Sequence, residues 1–142
     1  MMQCLTPVAC FLASMMLVAT ALADTAALYE RMGGERVMTQ VVNQAIDTVA
    51  QDPQVNQSFD QINLKRLKTK LVEHTCSLTG GGCDYTGDEM RQVHKGMKIT
   101  EREFYAMVEA LRQALDDHGV GEREKNELLA ILAPMKRLVV EK

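Results

Sequence analysis

The sequence predicts an all-α domain, a sandwich of short helices crossing around a pocket. Three observations predict it. No segment alternates apolar and polar residues for long enough to make a half-buried strand. Apolar side chains instead recur at spacings of three and four, the signature of one helix face. Glycines at Gly33-Gly34, Gly80-Gly81-Gly82, Gly119 and Gly121 cut these segments short. Short pieces joined at glycine breaks suit crossed helices better than a bundle of long, even rods.

The elements follow in order. A short first helix over residues 26–32 stops at Gly33-Gly34. A second is predicted over 35–52, with Val37, Val41, Val42, Ala45, Ile46 and Val49 on one stripe, and Asp52-Pro53 ends it. A loop then holds Phe59. The third helix, over 63–78, puts Leu67, Leu71, His74 and Leu78 on one face with Lys70 at its margin. The glycine run 80–82 stops it. Met90, Val93, His94 and Met97 define a short amphipathic helix that turns the imidazole inward. Thr100-Glu101-Arg102-Glu103 reads as a capping box. It opens a helix carrying Phe104, Met107, Val108, Leu111 and Leu115 on one face. A last helix over 122–141 carries Leu128, Leu129, Ile131, Leu132 and Met135, kinked at Pro134.

The first 23 residues carry no charge and are mostly apolar, and Ala21-Leu22-Ala23 before Asp24 has the small-x-small form of a cleavage site. Residues 1–23 therefore read as a secretory signal peptide, although no Lys or Arg precedes the apolar run. An uncleaved anchor is the rival, because about 18 apolar residues can span a bilayer. Cleavage leaves no stable membrane span and makes the protein periplasmic or secreted. Residues 24–142 then form one domain. The net charge of −3 gives no electrostatic case for nucleic acid. Cys4 and Cys10 belong to the leader, while Cys76 and Cys83 remain. An even pair in an oxidising compartment favours a disulfide from the third helix to the glycine loop. The pair is not a C-x-x-C-H haem-attachment signature, and with His74 it supplies too few ligands for an obvious zinc site.

No nucleophile is paired with a base, no glycine loop cradles phosphate, and no carboxylates are paired for acid–base work. The chemistry rests on two side chains. His94 is either a hydrogen-bonded core histidine or a metal ligand, for which a neutral imidazole suits iron. Lys70 either snorkels its ammonium into water or reaches into the pocket as a switchable ligand. His74, a turn further along, caps the pocket or the helix surface. His118 follows Asp116 and Asp117 at a helix C-terminus, where the helix dipole explains it. The absence of tryptophan and the presence of three phenylalanines leave an aromatic-poor core that a flat cofactor or Met and Leu could complete.

The order of several motifs carries a resemblance over most of residues 28–140. They are Leu28-Tyr29-Glu30-Arg31-Met32-Gly33-Gly34, Asp52-Pro53 and Phe59, Asn63-Leu64-Lys65-Arg66-Leu67-Lys68, and Gly80-Gly81. They continue with Tyr85-Thr86-Gly87, Met90, Val93-His94 and Ile99-Thr100 with Phe104. In this order the chain resembles the truncated haemoglobins of the first group, the two-over-two helical globins. The resemblance implies haem b, with His94 as proximal iron ligand and Phe59 wedged against the porphyrin. It implies that Lys65 and Lys68 meet the propionates and that Tyr85, Met90, Met97 and Phe104 line the proximal side. Ile46, Leu67, Lys70 and Leu71 become the distal wall. Many members carry tyrosine at the position of Ile46 and glutamine at one or both of those of Leu67 and Leu71, and those groups hydrogen-bond the bound diatomic. This chain has none of them. In some relatives a His or Lys at the position of Lys70 binds the iron directly, which makes Lys70 a candidate distal ligand.

The resemblance implies a protein that binds oxygen or nitric oxide or transfers electrons, with an unidentified electron donor. A nitric oxide dioxygenase type of activity is one form of it. The reading from another class is a cofactor-free periplasmic helical interaction module, in which His94 is structural.

Overall fold

A computed structural model describes residues 26–141. The predicted leader, residues 1–23, with Cys4 and Cys10, lies outside the described residues. Seven α-helices occur among the described residues, and no strand does. They are α1 (Leu28–Arg31), α2 (Gly34–Gln51), α3 (Leu64–Leu78), α4 (Met90–His94), α5 (Glu101–Asp117), α6 (Glu122–Leu132) and α7 (Lys136–Val139). Single 3-10 turns span Asn56–Phe59 and Ala133–Met135.

Helix α2 is the spine. Val37, Met38, Val41, Ala45 and Val49 recur on its inner stripe and are buried. It packs against α5 and against α3. Ala110 and Ala114 of α5 are small and buried, which lets the two helices approach closely. Leu115, Leu128, Val55 and Met32 complete the same core. Phe59 packs against its edge.

Local chemistry sets the ends of these helices. Gly33 ends the first turn with φ of 101°, and a Cβ there would collide with Val37, so only glycine fits. The Asn63 side chain accepts from the Arg66 N–H and starts α3. The predicted capping box at Thr100 and Glu103 is present and complete. Gly81 allows the chain to pass between Cys76 Sγ and the Tyr29 ring, where a Cβ would lie 2.5 Å from each. The corner from α5 to α6 is locked by the buried Lys125, whose Nζ donates to Asp116 at 2.5 Å and to Glu122 at 2.6 Å. Arg31 ties α1 to α6 through Glu124 at 3.3 Å and through Glu127.

Two expectations need correction. The last helix is broken, not merely kinked. Pro134 lacks an N–H and tightens residues 133–135 into a 3-10 turn, so α7 is a separate piece. Val93, expected on the buried face with His94, is 40% exposed. Helix α4 is barely one turn long and packs on α7, so only part of its apolar side is covered by protein.

Candidate functional site

His74 of α3 and Met90 and Arg91 of α4 line one pocket, and the burial of both helices is unlike that of α2. Of the fifteen residues of α3 only Cys76 is fully buried. Leu64, Leu67, Leu71, Val72 and Leu78 stay half-buried, so the apolar face of α3 lacks full protein cover. Ile62, just before it, is 38% exposed. Ile46 of α2, the helix that packs on α3, is buried outside the main core cluster. Ile46 is thus buried, while Leu67 and Leu71 stay half-buried.

His94, half-buried, is oriented from within its own helix. Its Nδ1 lies 2.7 Å from the Met90 carbonyl oxygen. A carbonyl only accepts, so Nδ1 carries the proton and Nε2 keeps its lone pair. No hydrogen bond is made by Nε2 among the described residues. This is how a metal-binding histidine is held: one nitrogen anchored, the other free. Met90 lines a pocket of about 420 Å³ with His74, Tyr85, Gly87, Glu89, Arg91 and Leu138. Met97 is half-buried beyond His94, and Phe104 half-buried on α5. Tyr85 packs its ring on His74 at 4.7 Å between centroids and donates its hydroxyl to the Asp88 carbonyl at 2.9 Å.

Lys70 reaches from α3 to the loop before α4. Its Nζ donates to Glu73 at 2.8 Å and to Thr86 at 2.5 Å, and the Thr86 hydroxyl donates to the same Glu73 oxygen at 3.0 Å. The bond from Lys70, aided by Thr86, holds the Glu73 carboxyl below the usual carboxylate range. Neither open reading of Lys70 is matched by this geometry: the amine is neither free in water nor bare in an apolar pocket. Lys68 is engaged elsewhere, by Asp47 of α2 at 2.6 Å, and a propionate would have to compete with that carboxylate. Lys65 is exposed. His118 caps α5, as its helix-end position implied.

Burial pushes the His74 imidazole below its ordinary value near 6.5. The sign for stability follows from proton uptake. Below that ordinary value the unfolded chain binds a proton that the folded chain resists. The contribution is present above it and lost as pH falls through the folded value. In the cofactor-free protein, urea midpoints are expected to fall between about pH 7 and pH 5, and His74→Phe is expected to flatten that fall. An unchanged slope in the variant would contradict the assignment.

Sequence reasoning missed four residues near the slot: Glu73, Thr86, Leu138 and Glu141. Glu73 was visible, since a carboxylate three positions after a lysine on a helix is a natural partner. The other three reach the site only through tertiary folding.

An all-helical fold with a carbonyl-anchored imidazole and a helix whose leucines are only half-buried has the parts of a small globin. Comparison with known proteins agrees. The sequence profile of the bacterial-like globins matches residues 27–141. The chain is 36% identical over 113 residues to the group 1 truncated hemoglobin GlbN of Mycolicibacterium paratuberculosis, covering 80% of this chain and 83% of that one. The crystal structure of truncated hemoglobin from Tetrahymena pyriformis, Fe(III) form, superposes with a TM-score of 0.77 at 26% identity, covering 82% of this chain and all of that one. The structure of Chlamydomonas reinhardtii THB1 gives 0.69 at 26% identity, covering 82% and 98%. The chain belongs to the bacterial-like globin family, with group 1 truncated haemoglobins as its relatives and their two-over-two fold.

The globin family implies haem, and the residues present fit it. The Nε2 of His94 makes no hydrogen bond among the described residues, and the leucines of α3 are only half-buried, a nitrogen donor and an apolar surface that suit haem.

Proposed function

We propose that this protein is an exported globin holding haem b, with Lys70 as a displaceable distal ligand, that serves redox or nitric-oxide chemistry rather than oxygen storage. The observation that supports this most is the composition of the distal wall. Ile46, Leu67 and Leu71 offer no hydrogen-bond donor, and Lys70, on the same helix as the two leucines, carries an amine. When bound, haem supplies an iron that takes diatomic ligands and exchanges single electrons. His94 holds it through Nε2, and the Met90 carbonyl fixes the ring. Lys70 must leave Glu73 and Thr86, and lose a proton, before its amine can act as a ligand. An incoming diatomic must then displace that amine, which suits electron transfer better than retention of oxygen. Turnover of nitric oxide with oxygen at such a site needs an external electron donor, a small reductant or a redox protein.

The test is a visible spectrum of purified protein in ferric and ferrous forms. A Soret band with one haem per chain is the expected result. A protein that never takes up haem decides for the cofactor-free interaction module.

Export carries a second expectation. The sulfur atoms of Cys76 and Cys83 are in bonding contact, with Cα atoms 5.7 Å apart, within the range a disulfide needs. In an oxidising compartment this bond pins the end of α3 to the loop carrying Tyr85 and Thr86. Its loop closure is worth roughly 2–3 kcal/mol. Protein lacking residues 1–23, oxidised and then unfolded without reductant, is expected to show no reactive thiol. Two thiols per chain would refute the bond.

A further inference from the structure

We propose that Glu141, at the far end of the chain, is a positioning residue for His94. The inference rests on the haem reading above and concerns what aims the imidazole.

Helix α4 spans Met90–His94, too short to be stable by itself. The Met90 carbonyl orients the ring relative to α4, but it cannot orient α4 relative to the slot. That orientation must come from contacts outside the helix, and two sets are present. One is the packing of α4 on α7. The other is a clamp on the loop that leaves His94. Glu141 Oε1 accepts from the Gly96 N–H at 2.5 Å, and Oε2 accepts from the Lys98 N–H at 3.1 Å. The Glu141 N–H in turn donates to the Ile99 carbonyl at 3.0 Å. One residue thus closes three bonds onto a four-residue stretch that begins two positions after His94.

The loop is shaped for this. Gly96 has φ of 82° and Lys98 has φ of 54°, a left-handed conformation that a lysine adopts at a cost. These two turns bring the N–H groups of residues 96 and 98 onto one carboxylate. Bonds to an ionised acceptor are the strong kind. Without the carboxylate nothing else in the described structure accepts from those two N–H groups, and the loop is free to relax from the left-handed geometry. The Met97 N–H donates to the His94 carbonyl at 3.1 Å, so a shift of the loop is passed directly to the end of α4. One residue, Val140, separates the end of α7 from Glu141, so the clamp sits beside the α4–α7 packing.

The test uses Glu141→Gln and, as a milder variant, Glu141→Asp, in the haem-loaded protein. Lys70→Ala is added for the vibrational measurement so that the ferrous iron is five-coordinate whatever Lys70 does. Three readouts are taken: the iron–histidine stretching band, transfer of haem to excess apomyoglobin, and hydrogen exchange at the Gly96 and Lys98 amides. Glu141→Gln is expected to speed exchange at both amides, to shift or broaden the band, and to raise the rate of haem loss about tenfold. Glu141→Asp is expected to lie between it and the parent. Faster exchange with an unchanged band overturns the proposal, because the clamp would then be structural only. Unchanged exchange also overturns it, because the clamp would not exist in solution. A parent protein with no haem band at all overturns the haem reading itself, and a band present in the parent but insensitive to Glu141 overturns this proposal alone.

Discussion

His94→Gly is expected to bind haem more than about 100-fold more weakly than the parent, since even the outer partners of metal ligands carry 10- to 100-fold. Whatever haem it retains should lack the parent's ferrous spectrum. The reason lies in the single free nitrogen of the site. Nδ1 is committed to the Met90 carbonyl, so Nε2 is the donor that the fold presents on this side of the slot. No neighbour substitutes for it. Met90 is half-buried and its carbonyl anchors the ring, Val93 has no lone pair to offer, and Lys95 is exposed. The glycine variant leaves a space of imidazole size, so free imidazole added at millimolar concentration should partly restore the spectrum. The cofactor-free fold should survive, because His94 lies outside the main core built on α2 and α5. Haem titration followed by absorption checks the first claim, and circular dichroism the second. A variant that takes up haem with the parent's affinity and ferrous spectrum would remove His94 from the proximal position.

The fold was legible in the sequence where local chemistry decides it. The valine stripe of α2 and the Thr100–Glu103 box act within one helix, and both appear as read. The break at Pro134 was legible as a disturbance but not in its extent. Whether a proline bends a helix or divides it depends on what packs beyond it, and here α7 turns away to support α4. The site was legible in part. Helical spacing put His94, Leu67 and Leu71 on faces with Lys70 at a margin, and the resemblance supplied their expected roles. Their partners could not all be named. Glu141 lies 43 to 45 positions from the amides it accepts, and no periodicity connects them. Val93 shows the same limit from the other side. Its spacing marks it apolar, but burial depends on what lies opposite, and the protein alone leaves it 40% exposed.

Lys70 carries the second large effect if, as proposed, it is the distal ligand at rest. An amine donates to iron only when neutral, so a proton competes with the metal for the same lone pair. Here a third competitor stands in the structure. Glu73 and Thr86 both accept from Nζ, at 2.8 Å and 2.5 Å. Lys70, aided by Thr86, holds the Glu73 carboxyl below the usual carboxylate range. Ligation therefore means exchanging a carboxylate and a hydroxyl for iron, with release of one proton. Haem-loaded protein is expected to be low-spin and six-coordinate at neutral and alkaline pH. Acid should convert it to a high-spin form as the amine is protonated and returns to Glu73. Lys70→Ala should be high-spin or water-ligated at low and neutral pH, lose that transition, and bind external ligands faster. Glu73→Gln removes the competitor for the ammonium, so ligation should persist further into acid. The midpoint should move down by less than about one pH unit, the modest size expected of a half-exposed ion pair. An upward shift would mean that Glu73 helps the lysine reach the iron rather than holding it back. Superimposable titrations of the parent and Lys70→Ala would show that Lys70 only bridges Glu73 and Thr86. The distal ligand, if the spectrum still required one, would then be sought at His74, one turn along the same face.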